Sequence, residues 1–302
     1  MDKKKRVVYS DAYLVDIGMH VFPTEKYRMV KDLLVEKDGF TGENFIAPKP
    51  ARDEDVLLVH TPAYLTKLKT GRLSLEEQMR LELPYSKALI EASLACVDGS
   101  VMASRIALED GVGIHLGGGF HHAFPDHGEG FCVFNDIAVA IRRLKHEGSI
   151  KKAMVIDCDL HQGNGTAFIF AGDESVFTFS IHQENNYPFP KPPSTLDVDL
   201  EDGAGDQRYL DELRAHIPKI INDFKPDLII YVAGADPYKE DQVGNLGLSM
   251  DGLRKRDELI FTTAHSVRIP VAVVLAGGYA VRKEDTAMIH YTTVKTGLRY
   301  AS

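Results

Sequence analysis

Two histidines stand side by side after three glycines, in Gly117-Gly118-Gly119-Phe120-His121-His122. Adjacent imidazoles suit a packed core poorly, because each ring needs polar partners or a proton. In an extended strand their side chains would point to opposite faces. The glycines upstream permit backbone turns that bring both rings into one pocket. Paired imidazoles that titrate near neutral pH are suited to passing a proton into and out of a reaction.

A second cluster reads as a metal site. In Asp157-Cys158-Asp159-Leu160-His161 the polar residues alternate, so an extended segment places them on one face. Asp159 and His161 supply a carboxylate oxygen and an imidazole nitrogen. Asp236, in Ala233-Gly234-Ala235-Asp236-Pro237, supplies a second oxygen. Three protein ligands and an open position describe a catalytic metal site. One nitrogen and two oxygens suit Zn²⁺, and would also accept Fe²⁺ or Mn²⁺. A strand end with helix-capping carboxylates is the plainer reading of Asp-x-Asp-x-His, but it leaves Asp236 and the histidine pair unexplained. Asp157 remains free to accept a hydrogen bond from one histidine and to favour its charged form. Asn164 can orient the other without favouring the imidazolium as strongly. Tyr279 follows Gly277-Gly278, which let the backbone approach closely. Its phenol can donate to an oxygen that gains negative charge. Taken alone, Tyr279 reads better as a tyrosine at a helix start.

The elements that must position these groups are legible as short apolar runs at 112–116, 153–156, 176–181, 228–232 and 271–276. They are rich in Val and Ile and bounded by Gly, Asp or Pro, as strands buried on both faces of a parallel sheet are. Helical spacing separates them, at 24–36 with Thr24 as N-cap, at 85–107, from Asn135 or Asp136 to 144, at 206–224 and at 251–267. The alternation predicts an α/β fold, a single domain over residues 1–302. The chemistry-bearing clusters directly follow the runs ending at 116, 156, 232 and 276. Ligands bind beyond the carboxyl ends of such strands, so the four clusters should converge. The least regular stretches are 39–55 and 183–205. The second holds Tyr187-Pro188-Phe189-Pro190-Lys191-Pro192-Pro193, a stiff loop suited to a pocket wall.

The chain has 302 residues, 44% of them apolar, and a formal charge of −9. Acidic and basic residues are mixed, which argues against a broad nucleic-acid surface. A basic substrate, such as a lysine-rich tail or a polyamine, is compatible with that charge. No apolar run is long enough for a transmembrane helix, and no signal peptide is expected. The basic stretch Lys3 to Arg6 reads as a solvated terminal charge run. Three cysteines, Cys96, Cys132 and Cys158, match neither a disulfide framework nor a zinc ribbon. They read as buried thiols in a reducing, cytoplasmic compartment. His20, His60, His115, His127 and His182 read as structural or rim residues. His146, His216, His265 and His290 fall on helices and are expected to be partly exposed. Phe168 and Phe170 read as packing groups.

The stretches 117–135, 155–170, 180–190, 234–257 and 276–279 together resemble the histone deacetylase family of metal-dependent amidohydrolases. Weaker similarity extends to 20–34 and 60–65. Asn164, Gly-Gly-Tyr at 277–279 and the segment 246–257 look closest to its class IV branch and bacterial relatives. The resemblance implies an arginase-deacetylase type fold with about eight mostly parallel strands flanked by helices. It implies Zn²⁺ on Asp159, His161 and Asp236, His121 paired with Asp157, and His122 paired with Asn164. It implies a narrow acyl-lysine tunnel with Phe131 facing Phe189, Gly130 at its wall and Gly278 beside the substrate. A potassium ion would take oxygens of Asp157, Asp159, His161, Ser180 and Ile181. Asn164 replaces the aspartate of the class I pattern, and no rim aspartate is identifiable between Thr70 and Tyr85.

On this reading the enzyme is a zinc-dependent deacylase that removes an acetyl or longer acyl group from lysine side chains of proteins or peptides. His122 acts as general base and then protonates the leaving amine, while His121, paired with charged Asp157, stabilises the site. Tyr279 polarises the substrate carbonyl. Three rivals share parts of the pattern. A deacetylase of small amines such as acetylpolyamines would use every catalytic residue. An arginase-like binuclear manganese enzyme needs an acid after His161, where Gln162-Gly163-Asn164 stands. A non-catalytic binding module would not require the intact ligand set with Tyr279.

Overall fold

The computed structural model describes residues 5–301; Lys3 and Lys4 of the basic start lie outside them. In chain order the elements are β1 (Val7–Val8), α1 (Lys26–Asp38), β2 (Phe45–Ile46), α2 (Asp53–Val56), α3 (Pro62–Thr70), α4 (Leu75–Leu81), α5 (Lys87–Asp110) and β3 (Val112–His115). Then follow α6 (Asp136–His146), β4 (Ala153–Asp157), α7 (Asn164–Ile169), β5 (Val176–Gln183), β6 (Leu196–Leu200) and α8 (Asp206–Phe224). The chain closes with β7 (Leu228–Val232), α9 (Met250–Ser266), β8 (Val271–Val274) and α10 (Lys283–Gly297).

All eight strands join one parallel sheet in the order β2-β1-β3-β8-β7-β4-β5-β6. The central strands are buried at every position, and mostly apolar, because both faces are covered. Their side chains alternate between two cores. Met154, Ile156, Ile229, Tyr231 and Val273 face one layer, with Leu34 of α1 and Leu213 and Ile217 of α8. Val155, Ile230, Val232, Ala272 and Val274 face the other, with Ile137, Ile141 and Leu144 of α6. Truncating one such buried Ile to Ala costs about 2–5 kcal/mol.

The strands that precede the four polar clusters are β3, β8, β7 and β4, and they lie side by side in the middle of the sheet. Their carboxyl ends therefore open onto one place. Two expectations need correction. Helix α1 begins at Lys26, and Thr24 does not cap it; the Thr24 hydroxyl donates to Val15 O instead. The irregular stretches 39–55 and 183–205 each contribute an outer strand, β2 and β6. The bounds of α8 and β7 agree with the spacing.

Candidate active site

The loop after β3 is built backwards from α6. Gly118 and Gly119 adopt φ of +69° and +87°. A side chain at Gly118 would fall 2.5 Å from Asp136 Oδ2, and one at Gly119 2.6 Å from the Ala276 Cβ. Glycine is required for both reasons. Asp136, wholly buried, accepts the N–H groups of Gly119 at 3.0 Å and Phe120 at 2.8 Å. Asn135 is the N-cap of α6, accepting Ala138 N–H through Oδ1 at 2.9 Å. Its Nδ2 donates to Ala123 O at 3.2 Å and His121 O at 3.4 Å. One helix start thus grips the backbone on both sides of the histidine pair.

Both rings are buried, and their Nε2 atoms lie 3.0 Å apart. His121 Nδ1 is 2.7 Å from Asp157 Oδ2, and His122 Nδ1 is 2.7 Å from Asn164 Oδ1. Burial alone would lower the pKa of His121, but Asp157 and Asp159 outweigh it and hold the ring up to about 9. Burial pushes His122 well below its ordinary value, and the charges on His121 and His161 add to this. The pair therefore holds one cationic and one neutral imidazole near pH 7.

Asp159, His161 and Asp236 offer one ligand atom each within 4.8 Å of one another. His161 Nδ1 lies 3.2 Å from Asp159 Oδ1 and 3.6 Å from Asp236 Oδ2. Asp159 is fixed by N–H groups of His161 at 3.0 Å and Gly277 at 2.9 Å; Asp236 Oδ1 accepts Leu160 N–H at 3.0 Å. Asp236 Oδ2 is buried without a hydrogen bond. Any side chain at Gly277 would fall 2.0 Å from that oxygen. Burial and the nearby Asp159 charge raise the Asp236 carboxyl to about 6. The two carboxylates, working against burial, hold His161 up to about 10. Two crowded acids that draw a proton onto a neighbouring ring, with one buried oxygen unpartnered, fit a divalent cation.

Tyr279 is buried beside this cluster, and its hydroxyl makes no hydrogen bond among the described residues. Gly278, at φ +143°, leaves no room for a Cβ, which would meet Thr286 at 2.7 Å. Gly130 and Phe131 line the same cavity with both histidines, Asp159, His161 and Tyr279. Phe131 is not matched with Phe189. Phe189 is 72% exposed and sits under Lys191 Nζ, whereas Phe131 packs on Phe22, His20 and Tyr279. The aromatic ring that turns inward from the proline-rich loop is Tyr187, whose centroid is 4.9 Å from that of His122. Ser180 and Ile181 are buried on β5 beside β4, with Ser180 paired to Asp157 in register; the Ser180 hydroxyl contacts His182 Nδ1 at 2.9 Å.

The histone deacetylase domain matches residues 20–295. The chain belongs to the histone deacetylase family. An uncharacterised Picosynechococcus protein is 39% identical over 94% of this chain and 95% of its own length. Histone deacetylase 2 of Arabidopsis thaliana is 32% identical, covering 91% of this chain and 75% of its own. The acetoin utilization protein AcuC of Staphylococcus aureus is 28% identical over 91% and 77%. A deacetylase homologue crystallised with SAHA superposes with a TM-score of 0.83 at 25% identity, covering 97% of this chain and 83% of that one. Family members are hydrolases that act on amides.

Several supports of this deacetylase-family site escape a reading by motif. Asp241 accepts Tyr279 N–H at 2.7 Å, and Gln242 donates to Tyr279 O at 2.8 Å. Wholly buried Arg256 donates to Gly234 O at 2.6 Å and Cys158 O at 3.3 Å, tying the loops of β4 and β7 together. Lys26 is also wholly buried, its Nζ 2.6 Å from Ala276 O. The only sequence signal for Lys26 is its place on the stripe of Val30 and Leu34 in α1. His290 corrects an expectation of exposure: it is wholly buried, behind Gly278. All three cysteines are buried and unpaired, and burial raises each thiol.

Proposed function

We propose that this chain is a zinc-dependent deacylase that hydrolyses the amide of acyl-lysine side chains in proteins or peptides. The observation that carries this is the unlike histidine pair, one ring held by a carboxylate and the other by a carboxamide, facing a three-ligand cluster and an unengaged phenol in one cavity. Zn²⁺ on Asp159, His161 and Asp236 would polarise the substrate carbonyl and acidify a water. Fe²⁺ suits the same ligands. Neutral His122 removes the proton of the attacking water and returns it to the leaving amine. Cationic His121, held by Asp157, balances the negative charge that develops. The Tyr279 hydroxyl donates to the oxyanion. The products are a free amine and a carboxylate. Gly130, Phe131 and Gly278 shape the passage to the reacting amide, and a neutral acyl-lysine passes apolar walls more readily than a charged amine.

We place the chain, residues 1–302, as one catalytic domain near the class IV branch, on the strength of Asn164 and Gly277-Gly278-Tyr279. We place its reaction in the cytoplasm, a reading that three free thiols support. The same reading puts K⁺ on oxygens of Asp157, Asp159, His161, Ser180 and Ile181. Among the described residues no helix is long and apolar enough to cross a membrane. The binuclear manganese reading lacks support: Gln162 takes the place of an acid and donates to Pro192 O at 2.8 Å.

The test is a panel of acetyl- to myristoyl-lysine peptides and acetylated polyamines, run on metal-analysed protein with Asp236→Ala as control. Peptide turnover that tracks zinc content supports the proposal. Turnover confined to polyamines transfers it to small amines, and turnover of neither rejects it.

A further inference from the structure

Three side chains converge on Glu129, which no motif singles out. Its Oε1 lies 2.7 Å from Asn164 Nδ2 and 2.6 Å from the Tyr187 hydroxyl; its Oε2 faces His127 Nε2 at 3.4 Å. Burial would raise its pKa, but the hydrogen bonds from His127, Tyr187 and Asn164 outweigh this and hold the carboxyl below its usual range. The backbone places it firmly. Glu129 and Cys132 exchange N–H···O bonds at 3.1 and 2.8 Å around a tight turn. The next residue, Gly130, has φ +51°, and a side chain there would fall 2.9 Å from both the His122 ring and the Tyr187 hydroxyl.

An ionised carboxylate only accepts hydrogen bonds, whereas a carboxamide has a donor end and an acceptor end. Glu129 therefore forces Asn164 to turn its NH₂ outward. The Asn164 oxygen is then the atom facing His122 Nδ1, and that ring nitrogen must carry the proton. The lone pair of neutral His122 is left on Nε2, beside His121 Nε2. With no acceptor behind it, Asn164 could rotate end for end and present NH₂ to Nδ1. The proton would then move to Nε2, and the ring could no longer act as a base there. An aspartate in place of Asn164 would have no such ambiguity; an asparagine needs an outside group to resolve it.

We propose that Glu129 is a positioning residue that fixes the His122 tautomer through Asn164 and clamps the Tyr187 ring against the same histidine. This rests on the deacylase reading only for its kinetic readout. The variants are Glu129→Gln, which keeps an acceptor, Glu129→Leu, which removes it, and Glu129→Leu combined with Asn164→Asp. With the best substrate of the panel, Glu129→Leu should lower kcat by about 10- to 100-fold with KM changed less than about threefold. Glu129→Gln should stay within about threefold of the wild type. Asn164→Asp should impair the wild type, where it opposes two carboxylates, yet recover most of the kcat of Glu129→Leu. Glu129→Ala replaces the leucine variant should that one not fold. Unchanged kcat in Glu129→Leu, or no recovery in the double variant, overturns the proposal. Nitrogen NMR of histidine-labelled, zinc-loaded protein reads the tautomer directly, with His122 assigned through His122→Ala. The expected state is Nδ1–H in the wild type and a mixture in Glu129→Leu. Nε2–H in the wild type, or an unchanged tautomer in the variant, overturns the proposal even if no acyl amide is turned over. Absent turnover with the expected tautomer shift rejects only the deacylase reading.

Discussion

His60 lies outside the cavity, yet the fold makes its protonation state matter. Its Nε2 accepts the backbone N–H of Asn135 at 3.0 Å, so that nitrogen must keep its lone pair. A proton there would set two donors face to face. Burial pushes its pKa down to about 4; the carbonyls of Phe124 and Pro125 pull the other way, but neither completes a hydrogen bond to Nδ1. The unfolded ring titrates near 6.5, so folding depresses its pKa. Stability from this group is therefore fully present above about pH 6.5 and is lost as pH falls towards about 4, because only the unfolded chain takes up the proton. Between about pH 7.5 and about pH 5 the loss is roughly 2 kcal/mol for this ring. His60→Gln keeps an acceptor for Asn135 and titrates nothing in that window. Urea unfolding of both proteins at the two pH values, with the same zinc supply, isolates the difference, since all other ionisations are shared. The wild type should lose about 2 kcal/mol more than the variant on acidification. Equal losses would refute the argument that His60 is held neutral by the Asn135 donor.

Other outcomes follow from the site geometry. Gly277→Ala should abolish stoichiometric zinc by metal analysis, because the new methyl would lie 2.0 Å from Asp236 Oδ2 and 2.6 Å from Asp159 Oδ2; retained zinc would show that these oxygens are not ligands. Tyr279→Phe should lower kcat by about 10²–10³ with zinc content unchanged, and near wild-type turnover would remove the phenol from the oxyanion site. Asp241→Ala should lower kcat by about tenfold or more through loss of the 2.7 Å bond that holds Tyr279 N–H, and should add little to Tyr279→Phe in a double-variant cycle. Replacing K⁺ with Na⁺ should weaken turnover, an effect that Ser180→Ala should blunt.

The sheet was legible because its central strands are short, nearly continuous apolar runs, a pattern that buried parallel strands share with little else of that length. The outer strands were not. Phe45–Ile46 is two residues long, and Leu196–Leu200 alternates apolar and acidic residues inside a proline-rich stretch that reads as a loop. Asp159, His161 and Asp236, which the fold brings together, and the histidine pair stood out in the sequence because metal and proton chemistry dictate residue type. Which aromatic packs on His122 was not legible: Tyr187 and Phe189 are two residues apart, and only the path of the loop decides. Helical spacing around His290 predicts partial exposure, yet the ring is wholly buried. Helix α10 packs on α1 and α9, and His290 sits behind Gly278 of the loop after β8.

Two of the residues that lie in no motif have a single hydrogen-bonding sense: ionised Glu129 can only accept and Arg256 can only donate. The reactive groups are the opposite: an imidazole and a carboxamide can present either end. Asn164, which could present either end, meets ionised Glu129 drawn from elsewhere in the chain. On the proposed role of Glu129, the His122 proton is thus set from the edge of the site. A motif names the groups that react, because chemistry restricts their type and spacing. The groups that fix their orientation need only the right donor or acceptor at the right distance. Many residue types at many chain positions satisfy that, and only the folded arrangement shows which ones do.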